Sequence, residues 1–226
     1  MKEKVSRLCE EIEKSLDYYQ ELGIDNFLCE QCKSSEKISK ETIFSSLEDE
    51  IKHCQECPLG STRKNAVPGE GNINADLMFV GEGPGKDEDF QGKPFVGKAG
   101  KLLTQIIKAM KFEREEVYIT NVIKCRPPEN RNPKNSEIEQ CKRFLLKQIE
   151  LISPKVIVTL GNVPTKFFLN QKKGITSLRG IFYSYNHIKV MPTFHPSYLV
   201  RNEGAKDLKI MVWKDMQKVM AVLGKK

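Results

Sequence analysis

Four short apolar runs limit what this chain can fold into: Leu77-Met78-Phe79-Val80, Val117-Tyr118-Ile119-Thr120, Val156-Ile157-Val158-Thr159-Leu160 and Ile188-Lys189-Val190-Met191. They are rich in β-branched residues and nearly uninterrupted, as strands covered on both faces must be. Between them the apolar spacing changes to three and four residues. Ala99, Leu102, Leu103, Ile106, Ile107 and Met110 form one helix face, and Ser136 with Glu139 reads as a capping box ahead of Ile138, Cys141, Leu145 and Ile149. A third helix starts near Asn162-Val163-Pro164, and a last runs from about Ala205 to Leu223. Strands alternating with helices predict an α/β fold with a parallel sheet, right-handed crossovers and helices on both faces. Ligands in such sheets bind beyond the carboxyl ends of the strands, so the places to search begin at Gly81, Asn121, Gly161 and Phe194.

Charge divides the chain. Residues 1–50 hold 7 Lys+Arg against 13 Asp+Glu, whereas residues 51–226 hold 30 against 17. The expected organisation is an acidic helical extension and linker over 1–50 and a basic domain over 51–226. In the extension, Val5, Leu8, Cys9, Ile12, Leu16 and Tyr19 recur at helical steps. A net +13 on the larger segment is the footprint of a polyanion binder. No run approaches the roughly 18 apolar residues of a membrane span, and Met1 to Arg7 lack an apolar leader, so a cytoplasmic protein with no membrane partner is expected. Seven cysteines in such a chain argue for reduced thiols, some of them metal ligands.

The strand ends carry the chemistry. After the first comes Gly81-Glu82-Gly83-Pro84-Gly85-Lys86-Asp87, which has the wrong spacing for a phosphate-cradling P-loop. Its glycines let backbone N–H groups approach a ligand, and Glu82 supplies a carboxylate. A tight turn with no ligand is the plainer reading of the same residues. Phe95, in a loop before a helix, is either a satellite core residue or a ring that stacks on a base. Asn121 closes the second strand; its amide matches the N3–H and O4 edge of uracil, where cytosine presents the reversed pattern. The alternative is a simple turn former. His195, at the end of the fourth strand, is placed to hold a developing oxyanion as a neutral donor. Cys54-x2-Cys57, Cys125 and Cys141 suit a 4Fe-4S cluster, since a structural zinc site more often shows two close pairs. Against this, Cys125 and Cys141 also read as small buried hydrophobes. Cys29-x2-Cys32, with Cys9, stays unassigned.

Five blocks, Cys54-x2-Cys57-Pro58-Leu59, Gly81-Glu82-Gly83-Pro84-Gly85, Gly92-Lys93-Pro94-Phe95-Val96-Gly97, Thr120-Asn121-Val122-Ile123-Lys124-Cys125-Arg126-Pro127-Pro128 and His195-Pro196-Ser197-Tyr198-Leu199, resemble the family 4 uracil-DNA glycosylases in kind and order. The likeness covers about residues 51–222. It implies a three-layer α/β/α sandwich around a four-stranded parallel sheet, a 4Fe-4S cluster on Cys54, Cys57, Cys125 and Cys141, and hydrolysis of the N-glycosidic bond of uracil in single- or double-stranded DNA. It also implies a pocket of Glu82, Gly83, Phe95 against the base, Asn121 at its polar edge and His195 at O2, with Leu199 filling the space left by the flipped nucleotide.

Within that pattern Glu82 is the expected water-positioning carboxylate and Glu88 the group crowding uracil C5. The cluster is expected to aim Lys124, Arg126, Arg131 and Lys134 at phosphates. The loop Pro127 to Asn135 holds no His, so a freely released abasic product is expected. The remaining expectations are a monomer whose N-terminal extension meets a replication or repair protein. Two rivals stand beside the enzyme: an iron–sulfur DNA-binding or polymerase-associated module without excision, and a zinc-bound scaffold with no nucleic-acid role.

Overall fold

The computed structural model describes residues 39–225. The compact unit begins at Lys40, so the boundary expected after Glu50 falls inside helix α1, Lys40–His53, whose Phe44, Leu47 and Ile51 are buried. The helical reading of Val5 to Tyr19, and Cys9, Cys29 and Cys32, lie outside the described residues. Helix α2, Leu59–Thr62, leads to the short strand β1, Glu70–Gly71. Strand β2, Leu77–Gly81, precedes helices α3, Lys86–Gln91, and α4, Lys98–Ala109. Strand β3 spans Tyr118–Asn121 and helix α5 Asn135–Ile152. Strand β4, Val156–Leu160, is followed by α6, Asn162–Leu169, and α7, Ile175–Leu178. Strands β5, Tyr183–Tyr185, and β6, Ile188–Thr193, then precede α8, Pro196–Arg201, and α9, Lys206–Val222.

The sheet order is β1-β3-β2-β4-β6-β5. Its centre, β3-β2-β4-β6, is parallel and made of the four runs read from sequence. Two short antiparallel edge strands, β1 on β3 and β5 on β6, extend the expected four-stranded sheet to six. Neither edge was legible: two or three residues are too few for a periodic signal.

Alternation along the strands explains the layers. Met78 and Val80 face a core shared with α1 and α5, while Leu77 and Phe79 face one shared with α4 and α9. Successive strand side chains point to opposite faces, so every central position is buried somewhere. The α5 start also differs from expectation: the backbone N–H of Lys134 donates to Glu137 Oε2 at 2.7 Å, two residues ahead of the Ser136–Glu139 box. Among the described residues no helix is long and apolar enough to cross a membrane.

Register positions the site. Gly81 pairs with Asn121, and Leu160 with Thr193, so four connecting loops leave one edge of the sheet together.

Candidate active site and cysteine cluster

At the carboxyl ends of the four parallel strands lies a cleft of about 660 Å³. Glu82, Gly83, Glu88, Phe95, Asn121, Arg131 and His195 all line it. Arg126 and Lys134 lie outside the lining, on the connection between β3 and α5.

Asn121 is 2% exposed, and its Oδ1 has no hydrogen-bond partner. A buried acceptor left open costs free energy until something donates to it. Its neighbour makes that approach possible. A Cβ at Gly81 would lie 2.3 Å from Asn121 Oδ1 and 2.6 Å from the Phe95 ring, so only glycine lets the amide and the ring close over the strand end.

His195 caps the start of α8. Its Nδ1 accepts from the Ser197 backbone N–H at 3.0 Å and lies 2.7 Å from Ser197 Oγ. A backbone N–H can only donate, so Nδ1 carries no proton and the neutral ring bears its hydrogen on Nε2. Burial, with the positive charge of Arg201, lowers the imidazole pKa to about 4. At neutral pH the ring is therefore an uncharged donor. It stands beside Phe95, ring centroids 5.7 Å apart.

Glu82 is half-buried, and burial raises its carboxyl pKa. Glu88, also in the cleft wall, is held by backbone donors. Its Oε1 accepts from the N–H groups of Val96 and Gly97 at 2.9 and 3.0 Å, and its Oε2 from Gly85 at 3.2 Å. The carboxylate ties the first glycine loop to the Phe95 loop.

Two expectations fail. Leu199 is 2% exposed and packs in the core with α4, because it follows the buried Pro196 by three residues on one face of α8. It does not line the cleft; the ring next to it, Tyr198, does and is 40% exposed. Lys124 is 1% exposed and cannot reach a phosphate. Its Nζ donates to Thr120 Oγ1, Asn121 O and Gln148 Oε1 at 2.5, 2.9 and 2.7 Å. Burial lowers its pKa to about 7, against the pull of the neighbouring Cys141 and Cys125. Arg131 is held by the buried Glu137 through two hydrogen bonds of 2.9 and 2.6 Å, which keep that carboxyl below its usual range.

Sequence reasoning assigned no role to Ser197 or Arg201, although Ser197 lies in a motif block. Asn162 follows the strand end at Gly161 but carried no assigned role, and Thr176 had no signal; folding brings α6 and α7 to the cleft.

The four cysteines Cys54, Cys57, Cys125 and Cys141 line a second, smaller cavity, all unpaired. Arg63 Nη1 donates to Cys125 Sγ at 2.8 Å, and the Lys124 backbone N–H to Cys141 Sγ at 3.3 Å. Burial pushes the Cys141 thiol to about 11 and raises that of Cys125. Among the described residues, no three His, Cys, Asp or Glu side chains are grouped to hold a metal ion.

A family model described as the Uracil DNA glycosylase superfamily matches residues 68–217. The chain belongs to this superfamily. Within it, the chain is similar to proteins named Type-4 uracil-DNA glycosylase. That of Thermotoga maritima is 46% identical over 189 residues, 83% of this chain and 98% of the relative. That of Saccharolobus solfataricus is 46% identical over 187 residues, 79% and 85% of the two chains. That of Archaeoglobus fulgidus is 42% identical over 194 residues, 81% and 96%. The superfamily match and these relatives bear out the type-4 resemblance read from the five motif blocks.

Proposed function

We propose that this protein is a DNA repair glycosylase that hydrolyses the N-glycosidic bond of uracil in DNA, releasing free uracil and leaving an abasic site. The observation that carries the pocket assignment is the unpartnered, buried Oδ1 of Asn121 beside the Phe95 ring and the His195 imidazole. Uracil presents N3–H to that oxygen and O4 to the amide nitrogen. Cytosine would aim its N3 lone pair at Oδ1 and leave both groups unpaired, a large penalty in a buried site.

Chemistry follows from the placement. A base inside a duplex is out of reach, so the nucleotide must rotate out, at a cost of about a few kcal/mol. Phe95 stacks on the extruded ring. As the N1–C1′ bond breaks, its electron pair moves into the uracil ring, and His195 Nε2–H donates to the growing charge on O2. Because the ring is neutral, it stabilises the anion without transferring a proton. The Glu82 carboxylate faces the cationic sugar and orients the water that adds to C1′. Exchange with solvent then carries the water's proton away.

Arg131 meets phosphates at the cleft, Arg126 and Lys134 meet them from the connection between β3 and α5, and the exposed ring of Tyr198 takes the DNA contact expected of Leu199. Cys54, Cys57, Cys125 and Cys141 would hold a 4Fe-4S cluster. Arg63 and the Lys124 N–H already point at sulfur, as donors to ligating thiolates do, and the sulfurs surround a shared cavity instead of one ion position. Such a group would supply a covalent tie among the segment between α1 and α2, the loop after β3 and α5. The unpaired thiols suit a reducing, cytoplasmic compartment. One chain builds the whole cleft, in keeping with a monomer. Residues 1–50, net −6, would repel DNA and are better matched to a replication or repair protein. The binding-module and zinc-scaffold alternatives are not favoured.

The test is single-turnover cleavage of oligonucleotides carrying uracil, thymine or cytosine by anaerobically purified protein, with alkali revealing abasic sites. Cleavage at uracil alone is expected. An intact, DNA-binding protein that cleaves none of them would sink the proposal.

A further inference from the structure

Phe95 has a backbone conformation that its side chain disfavours. Its φ is 52°, in the left-handed region where a bulky residue is an outlier. Such a conformation persists only where the surroundings over-determine it. Here they do so from both sides. After Phe95, the Val96 and Gly97 N–H groups are taken by Glu88. Before it, Arg114 Nη2 donates to the Pro94 carbonyl at 2.6 Å.

Arg114 is itself anchored. Its Nη1 donates to Thr104 Oγ1 on α4 at 3.1 Å, and its Nη2 lies 3.4 Å from Glu70 Oε2. Its side chain is only 17% exposed. The Lys93–Glu70 pair nearby, 3.0 Å long with Lys93 well exposed, adds little. Beneath the loop, a Cβ at Gly100 would sit 1.9 Å from the Phe95 carbonyl oxygen, so α4 presses directly on the strained residue. The guanidinium on the peptide before Phe95, and the Glu88 carboxylate and the α4 backbone on the peptide after it, thus hold the residue from both sides. Arg114 does not line the cleft.

We infer that Arg114 is a positioning residue for base recognition: it fixes the Pro94 carbonyl and so keeps the Phe95 ring in the plane that a flipped base must meet. This rests on the proposal that Phe95 stacks on uracil. Without the guanidinium the Pro94–Phe95 peptide is free to rotate, Phe95 relaxes to negative φ and the ring leaves its place. DNA backbone contacts, made by other loops, stay.

The experiment compares full-length Arg114→Met and Thr104→Val, each alone and in a Phe95→Ala background. Four quantities are measured: single-turnover excision, inhibition by free uracil, affinity for DNA carrying a tetrahydrofuran abasic-site analogue, and Tm. Arg114→Met is expected to slow excision and weaken uracil inhibition about tenfold, and Thr104→Val about threefold, while affinity for abasic-site DNA changes less than about twofold. In the Phe95→Ala background either substitution adds less than about twofold, since the group through which it acts is gone. Should Arg114→Met fail to fold, Thr104→Val carries the same comparison. An equal loss in both backgrounds, or an equal loss of abasic-site affinity, overturns the inference. So does a harmless Arg114→Met beside a crippled Phe95→Ala. If Phe95→Ala itself changes neither rate nor uracil inhibition, the stacking proposal falls, and the inference with it.

Discussion

The cleft and the cysteine cavity lie on either side of one strand end, and they treat polar atoms in opposite ways. In the cleft, Asn121 Oδ1 is buried without a partner, and the neutral His195 has only Nδ1 engaged. Around the cysteines, Arg63 and the Lys124 N–H donate to sulfur, and apolar residues such as Ile51 and Phe144 complete the wall. A site that must bind and release a base keeps its hydrogen-bonding capacity open, whereas a site that holds a resident group is satisfied from within. Lys124 joins the two: its backbone donates to Cys141 and its Nζ to the Asn121 carbonyl, a few residues apart. Damage on the cysteine side should therefore act through stability, and damage in the cleft through rate.

The largest expected effect tests the first half of that contrast. If the proposed 4Fe-4S cluster is bound, Cys141→Ala should abolish its brown colour and lower stability by about several kcal/mol, because metal binding and folding are one equilibrium in such sites. Iron content, visible absorption and thermal unfolding check it. A variant that stayed brown with four irons per chain would remove Cys141 from the ligand set.

In the cleft, Asn121→Asp should lower excision of uracil about a hundredfold, since a carboxylate faces O4 with a repelling charge and has no donor to offer it. Rates on uracil substrates together with Tm make the check, and an unchanged rate would move uracil recognition elsewhere.

The smallest effect is a shift in pH dependence. The His195 pKa, lowered to about 4, leaves the ring neutral throughout the physiological range, so its protonation does not limit activity above that value. The Glu82 carboxyl is raised, so the acid limb of the rate profile belongs to Glu82 and disappears in Glu82→Gln. Stability carries a separate signature. An unfolded His195 takes up a proton near 6.5 and the folded one only near 4, so its contribution is full above 6.5 and falls as pH drops between those values. Denaturation of the wild type and His195→Ala across pH 4 to 7 measures that difference.

Much of this was legible in the chain. The four apolar runs became the four parallel strands, and the strand-end rule led to Glu82, Phe95, Asn121 and His195, which line one cleft. Those features are local: periodicity, turn residues and strand termini are written within a few consecutive residues. The cysteines too were readable as a set, because few residue types do their chemistry.

What only tertiary structure decided is which side chains are free to act. Leu199 and Lys124 belong to motif blocks yet are buried, one beneath α4 and the other in a network with Gln148, 24 residues away. Glu88 is consumed by the Phe95 loop, and Arg114 reaches Pro94 across 20 residues. The edge strands exist because partners lie beside them. The sequence alone determined the four central parallel strands, the loops that open onto their carboxyl edge and the residue types placed there. Burial and long-range hydrogen bonding determined their roles, since neither depends on near neighbours in the chain.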